Sequence, residues 1–195
     1  MSPLIKCVVL GDSGAGKTSL LKAYIDKTYC RNPPPTMYVE YAVKTTTAAG
    51  LTSNLILCDA TGVEDYNCVK RLCYPKSDVF LICCSVYEEN CLENIRDNYL
   101  YDIRMCCPDV PIILVATKID LRDTSKDTLS KANKRILTFV EGQQIAKAIG
   151  AEEYLECSAL NGTGVAEVFR AVATCGLNYR LSNAEHNYGW KCSLL

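Results

Sequence analysis

Apolar runs of six to nine residues, separated by glycine, proline and polar clusters, dominate the chain. Leu4–Leu10 (LIKCVVL) ends at a glycine, as a buried strand does. Gly11–Thr18 is glycine-rich, and Lys17–Asp26 then takes helical spacing, with Leu20, Leu21 and Tyr24 on one face. Arg31–Thr36 is polar and proline-rich. Val39–Thr47 and Leu51–Cys58 flank Ala48-Ala49-Gly50 and read as a hairpin. Val79–Val86 and Ile112–Thr117 are two further buried strands, with a helical period over Asn90–Met105 between them. Val140–Ile149 reads as a helix that stops at Gly150, Tyr154–Cys157 as a short strand, and Gly164–Tyr179 as a helix with Val165, Val168, Phe169 and Val172 inward. Strands alternating with helices predict a doubly wound α/β sheet with ligands beyond the carboxyl ends of its strands. From Arg180 on, the chain reads as a flexible tail.

Composition narrows this picture. The 195 residues suit one domain with a short tail, and 49% hydrophobic against 22% charged residues allows a sizeable core. A net charge of -1 gives no global basic field for nucleic acid. No apolar run reaches the roughly 18 residues of a spanning helix, and the first residues lack the apolar region of a secretory signal. Thirteen cysteines with a single histidine form no zinc-site spacing, so they read as reduced cytosolic thiols, mostly core filler. Cys175 shares the spacing of Val168 and Val172 and is assigned to that buried face.

The chemistry begins at Gly11-Asp12-Ser13-Gly14-Ala15-Gly16-Lys17-Thr18, which fits G-x-x-x-x-G-K-[ST] between a strand and a helix. In such a loop the backbone N–H groups of Ser13, Gly14, Ala15 and Gly16 close around phosphates at a helix N-terminus. Lys17 reaches the β- and γ-phosphates, and Thr18 offers its hydroxyl to Mg²⁺. The loop alone specifies only a nucleoside triphosphate, and a phosphotransferase would carry it too.

Further motifs select among nucleotides. Asp59-Ala60-Thr61-Gly62, Thr117-Lys118-Ile119-Asp120 and Cys157-Ser158-Ala159-Leu160 each follow a predicted strand. With the phosphate loop they resemble the motifs of Ras-superfamily GTPases. Threonine at the head of TKID, together with IKCVV, Cys73-Tyr74-Pro75, DVFLIC, PIILVATKIDLRD and YLECSAL, resembles the Rac-like branch of the Rho family. The resemblance spans about residues 4–179. It implies a small G-domain over 1–179, with a mostly parallel six-stranded sheet flanked by helices. It also implies a Rho-type insert helix at about 123–137, and a tail over 180–195.

The same resemblance implies roles. Asp120 would accept from guanine N1–H and the N2 amino group. Lys118 and Tyr29 would cover the base, the Ala159 N–H would meet O6, and Thr117 and Ser158 would complete the site. Thr18, Thr36 and Asp59 would hold Mg²⁺, and the Gly62 N–H would meet the γ-phosphate of GTP. Pro33, Thr36, Tyr38, Val39 and Tyr41 fall in the effector region, so effector proteins, an exchange factor and a dissociation inhibitor are implied partners. The implied role is a switch in intracellular signalling, of the cytoskeleton or cell polarity.

Several positions depart from that family. Val63 stands where glutamine orients the attacking water, so no catalytic residue is intact. Ser13 replaces a glycine beside the γ-phosphate, and Thr61 replaces an alanine. These changes imply slow or deficient hydrolysis and a bias to the GTP form. Pro33 replaces a tyrosine lid, Val39 an acid and Cys58 a tryptophan tied to exchange-factor choice. The alternatives left open are a pseudo-GTPase scaffold and a P-loop phosphotransferase. Finally, Cys192-Ser193-Leu194-Leu195 has the C-a-a-X form, with Cys192 the lipidation candidate and terminal leucine favouring geranylgeranyl. That predicts a cytoplasmic protein, peripheral on the cytoplasmic face of the plasma membrane or an endomembrane through its prenyl group.

Overall fold

A computed structural model describes residues 2–60, 62, 67–87, 90–124 and 136–189. Strands are β1 (Leu4–Leu10), β2 (Tyr38–Thr46), β3 (Thr52–Ala60), β4 (Val79–Ser85), β5 (Ile112–Thr117) and β6 (Glu153–Glu156). Helices are α1 (Lys17–Ile25), α2 (Asn67–Cys73), α3 (Cys91–Ile95), α4 (Tyr101–Cys106), α5 (Leu121–Thr124), α6 (Phe139–Ile149) and α7 (Val165–Gly189). The sheet runs β2-β3-β1-β4-β5-β6, with β2 antiparallel to β3 and the other pairs parallel. The predicted hairpin and mostly parallel sheet are therefore present, with strand ends within two residues of the sequence reading.

Why β1, β4 and β5 are central follows from their side chains. Each is apolar on both faces, as a strand covered by helices on two sides must be. Ile5, Cys7 and Val9 enter one core with Leu20 and Leu21 of α1 and Val165, Val168, Phe169 and Val172 of α7. Tyr24 stacks on Phe169, with ring centroids 4.1 Å apart. Val8 and Leu10 enter the opposite core with Ile95, Tyr99 and Ile103. The inward faces predicted for α1 and α7 are the buried ones, and Cys175 lies half-buried against the first core.

Four features differ from the sequence reading. The helix expected to end at Tyr179 continues to Gly189, so residues 180–189 are helical rather than a loose tail. Arg180 Nε donates to Asp78 Oδ1 at 2.6 Å, while Asp78 Oδ2 accepts from the Lys6 backbone at 2.7 Å, so residue 180 is tied to the sheet. The Asn90–Met105 helix is interrupted by a π-helical stretch, Arg96–Leu100, between α3 and α4. Helices α2 and α5 have no counterpart in the periodicity. And two of the cysteines read as free thiols, Cys84 and Cys91, are joined as a disulfide with Cα atoms 6.3 Å apart, inside the usual span for that bond. Cys7, Cys58, Cys73, Cys83, Cys107 and Cys157 are buried, as expected of core filler.

Most of the insert (123–137) lies outside the described residues. Its flanks are joined: Arg122 donates to Leu137 O at 2.7 Å and pairs with both oxygens of Glu156. Among the described residues no helix is long and apolar enough to cross a membrane.

Candidate functional site

The carboxyl ends of β1, β3, β5 and β6 open onto one cleft of about 750 Å³. Gly16 caps α1 in a left-handed conformation (φ 88°) with no side-chain partner for the helix N–H groups, which leaves those donors available to an anion. Ser13, Gly14, Gly16, Lys17 and Thr18 line the wall. Ala15 does not: it is buried, and its carbonyl accepts from Thr117 Oγ1 at 2.6 Å. Lys17 is nearly buried and donates to Gly11 O at 2.7 Å and Asp12 O at 2.9 Å. Burial lowers its pKa below the ordinary lysine value, against the pull of nearby Asp59 and Asp12. Two carbonyls hold this ammonium at the mouth of the loop.

On the opposite wall, Lys118 and Asp120 follow β5. Lys118 adopts φ 61°, a left-handed backbone that costs a non-glycine residue about 1–2 kcal/mol. Its Nζ reaches Gly14 O at 2.6 Å and so spans from the TKID segment to the phosphate loop. Ser158, fully buried, donates through Oγ to Asp120 Oδ1 at 2.5 Å and fixes that carboxylate from behind. Ala159, Leu160 and Tyr29 complete this end of the wall, with Tyr29 44% exposed. The residues expected to surround a base are thus brought to one place.

The residues expected to hold a divalent cation also meet. Thr18 Oγ1 donates to Asp59 Oδ2 at 2.7 Å and lies 3.3 Å from Thr36 Oγ1. Asp59 is fully buried, and its Oδ1 has no hydrogen-bond partner. Burial raises its pKa above the usual carboxylate value, opposed by the Thr18 hydroxyl and the Lys17 charge. An orphaned buried carboxylate oxygen next to two hydroxyls fits a hard, water-carrying Mg²⁺. Among the described residues no group of three or more His, Cys, Asp or Glu that could hold a metal ion is present. Gly62 packs so tightly that a β-carbon there would lie 2.5 Å from the Ser13 amide nitrogen and 2.6 Å from Lys17 Nζ.

The effector-region residues are less uniform. Pro33, Pro34, Pro35 and Thr36 line the cleft. Tyr38 and Val39 are exposed on edge strand β2, and Tyr38 donates to Glu40 and approaches Cys58 Sγ. Tyr41, on the same face of β2 as Val39, packs half-buried against the core. Cys58 is buried, which pushes its thiol up to about 11. Val63, Thr61 and Cys192 lie outside the described residues.

Sequence reasoning missed the group behind the loop. Tyr99 Oη donates to Asp12 Oδ1 at 2.7 Å and Asn94 Nδ2 to Asp12 Oδ2 at 2.8 Å. Lys70 of α2 lies 5.0 Å from the Tyr99 ring centroid. No spacing rule links residues more than eighty positions apart. The only available signal was an acid at a variable loop position.

A model of one protein family, described as Ras family, matches residues 6–176. The match takes in the phosphate loop, both base-facing segments and every described strand except the first residues of β1.

The electrostatics of Asp59 give a prediction. Its folded-state pKa is raised above the unfolded value of about 3.9. Its contribution to stability is therefore fully present below that value and lost as pH rises through the folded pKa. At neutral pH the charged group burdens the ligand-free fold. Asp59→Asn should raise the thermal midpoint of ligand-free protein at pH 7, with the gain vanishing near pH 4. The same variant should weaken Mg²⁺-dependent nucleotide retention on the order of 10–100-fold. Calorimetry across pH and nucleotide release with and without Mg²⁺ measure the two effects, and a lowered midpoint at pH 7 would contradict this account.

Proposed function

We propose that this chain, which belongs to the Ras family, is a Rho-type GTP-binding switch with impaired hydrolysis, held toward its GTP form. GTP binding and switching are general to the family. The finer reading rests on particular residues of this sequence. The observation that carries nucleotide binding is the meeting of Lys17, Thr18, Lys118 and Asp120 around one cleft, with Asp59 bonded to Thr18. Asp120, buttressed by Ser158, is the acceptor for the two guanine donors that adenine lacks. Lys17 and the α1 N-terminus take the phosphates, and Thr18, Thr36 and Asp59 take Mg²⁺, which neutralises phosphate charge when bound.

Impaired hydrolysis follows from chemistry. A valine at 63 has no group to orient water, and the Ser13 side chain occupies space near the γ-phosphate. The Rho-type assignment rests on the Rac-like sequence runs and the charged insert between Asp120 and Ser158. With Pro33, Val39 and Cys58 at these positions, the effectors and exchange factor of Rac-like proteins do not carry over to this chain. A prenyl group on Cys192 would make it peripheral to the cytoplasmic face of a membrane.

Three outcomes test these points. Asp120→Ala should abolish the preference for GTP over ATP in competition binding, because the guanine donors lose their acceptor. Unchanged discrimination would remove the base-reading assignment.

Single-turnover phosphate release should run below the slow intrinsic range of about 10⁻⁴ s⁻¹, and an activating protein's arginine should add far less than its usual 10³–10⁵-fold or so. A rate raised well above that range would disprove GTP bias. Val63→Gln alone should restore little, since Ser13 and Thr61 remain.

Fractionation tests the anchor. One prenyl chain binds reversibly, and Arg180 and Lys191, the only basic residues of the tail, would each add at most about 1 kcal/mol near an anionic surface. Arg180, moreover, is engaged by Asp78. Wild type should divide between soluble and membrane fractions, and Cys192→Ser should be wholly soluble. Equal membrane retention by the two would disprove lipidation at Cys192.

A further inference from the structure

The loop that grips phosphate is held from behind by a segment whose first residue is one half of the disulfide. Helix α3 starts at Cys91, bonded to Cys84 near the end of β4. One turn further on, Asn94 donates to Asp12, and Tyr99, in the π-helical stretch, donates to the other oxygen of the same carboxylate. Asp12 lies inside the phosphate loop, where its backbone carbonyl accepts from both Lys17 Nζ and the Ala15 amide. The backbone of the other cysteine, Cys84, is linked to the loop as well. Thr117 Oγ1 bridges Cys84 O at 3.3 Å and Ala15 O at 2.6 Å. Both ends of the disulfide are therefore one or two contacts from the phosphate loop, by independent routes.

We propose that the Cys84–Cys91 disulfide is a redox control on the phosphate-binding loop. When it is formed, the start of α3 is pinned to β4, and Asn94 and Tyr99 hold Asp12 in place. When it is reduced, α3 is released at its first residue, the two hydrogen bonds to Asp12 loosen, and nucleotide leaves faster. The inference rests on the proposed function for what the loop binds. Under that reading the chain works in the cytoplasm, where lasting disulfides are rare and those that form are mainly transient and redox-sensing. Both cysteines are buried, Cys84 5% and Cys91 3% exposed, which slows exchange in the closed fold. The void beside them, bounded by Asp12, Ala15, Ile95 and Tyr99, is about 10 Å³ and admits no thiol reagent. Exchange must wait for α3 to lift, so it reports the state of the segment it controls.

The chemistry is thiol–disulfide exchange with a small thiol such as glutathione. A thiolate of the reagent attacks one protein sulfur, giving a mixed disulfide and one protein thiolate. A second reagent thiolate then releases the other sulfur. Two electrons pass from two reagent thiols, which become one reagent disulfide, to the protein, which gains two thiols and the two protons. Oxidation by glutathione disulfide is the same sequence reversed.

Full-length protein equilibrated with glutathione disulfide or with dithiothreitol is alkylated, digested and weighed. A linked Cys84–Cys91 peptide should appear in the first sample and vanish in the second. Release of a fluorescent GDP analogue should be about tenfold faster from the reduced protein, since two hydrogen bonds to a charged group are weakened. Cys91→Ser should release nucleotide at the reduced rate in both conditions. Tyr99→Phe should narrow the ratio between the oxidised and reduced rates, which a purely local role for the bond would leave unchanged. If Cys91→Ser does not fold, the wild-type comparison still decides. Absence of the linked peptide at every oxidant concentration overturns the proposal, and so do equal release rates with the peptide present. If the protein retains no guanine nucleotide in either state, the functional reading fails. Amide hydrogen exchange over residues 11–16 then judges the redox proposal: slower exchange in the oxidised form upholds it, and equal exchange overturns it.

Discussion

The pairing of β1 between β3 and β4 is the constraint on which the rest depends. Parallel register sets Val9 beside Asp59 and Leu10 beside Ile82, so these strands end at one edge of the sheet. The phosphate loop leaves β1 at that edge, Asp59 sits near the end of β3, and the Cys83-Cys84 pair closes β4. Because every central strand is apolar on both faces, a shift by one residue would exchange the contents of two filled cores. The polar groups at the strand ends inherit their positions from that packing.

A tension accompanies this arrangement. The same burial that fixes Lys17 and Asp59 in place works against their charges, lowering the basicity of one and raising the pKa of the other. They relieve each other only in part. The polypeptide meets Lys17 with two carbonyls and Asp59 Oδ2 with the Thr18 hydroxyl, leaving Asp59 Oδ1 without a hydrogen-bond partner. The site is thus built to a charge balance that the polypeptide alone does not complete.

Much of the fold was legible because strand cores and motif spacings are local properties. LIKCVVL and IILVAT announce themselves by composition, and the phosphate loop by its glycines and lysine between them. What escaped was either short or non-local. NCVKRLC of α2 has too few turns to show a period. The π-helical stretch is a backbone detail without a composition mark. After Tyr179 the apolar stripe fades, which reads as an ending, yet no helix breaker intervenes before Gly189, and that glycine was the available signal. Tyr41 shares a face of β2 with exposed Val39, yet one pair further along the strand it packs half-buried against the core. Thirteen cysteines offer too many pairings for sequence to select the one that forms, and the Asp12 contacts join positions that only the fold makes neighbours.

The length of α7 has a geometric consequence. Its 25 residues make a rod of about 37 Å, and the nine residues beyond the Arg180–Asp78 clamp project about 14 Å. Gly189 is carried at the end of a shaft, so its distance and its bearing are coupled. Inserting one residue into that shaft would lengthen it by only about 1.5 Å but turn everything beyond it by about 100°. The helix therefore acts as an angular gauge: it sets which side of the domain Gly189 faces.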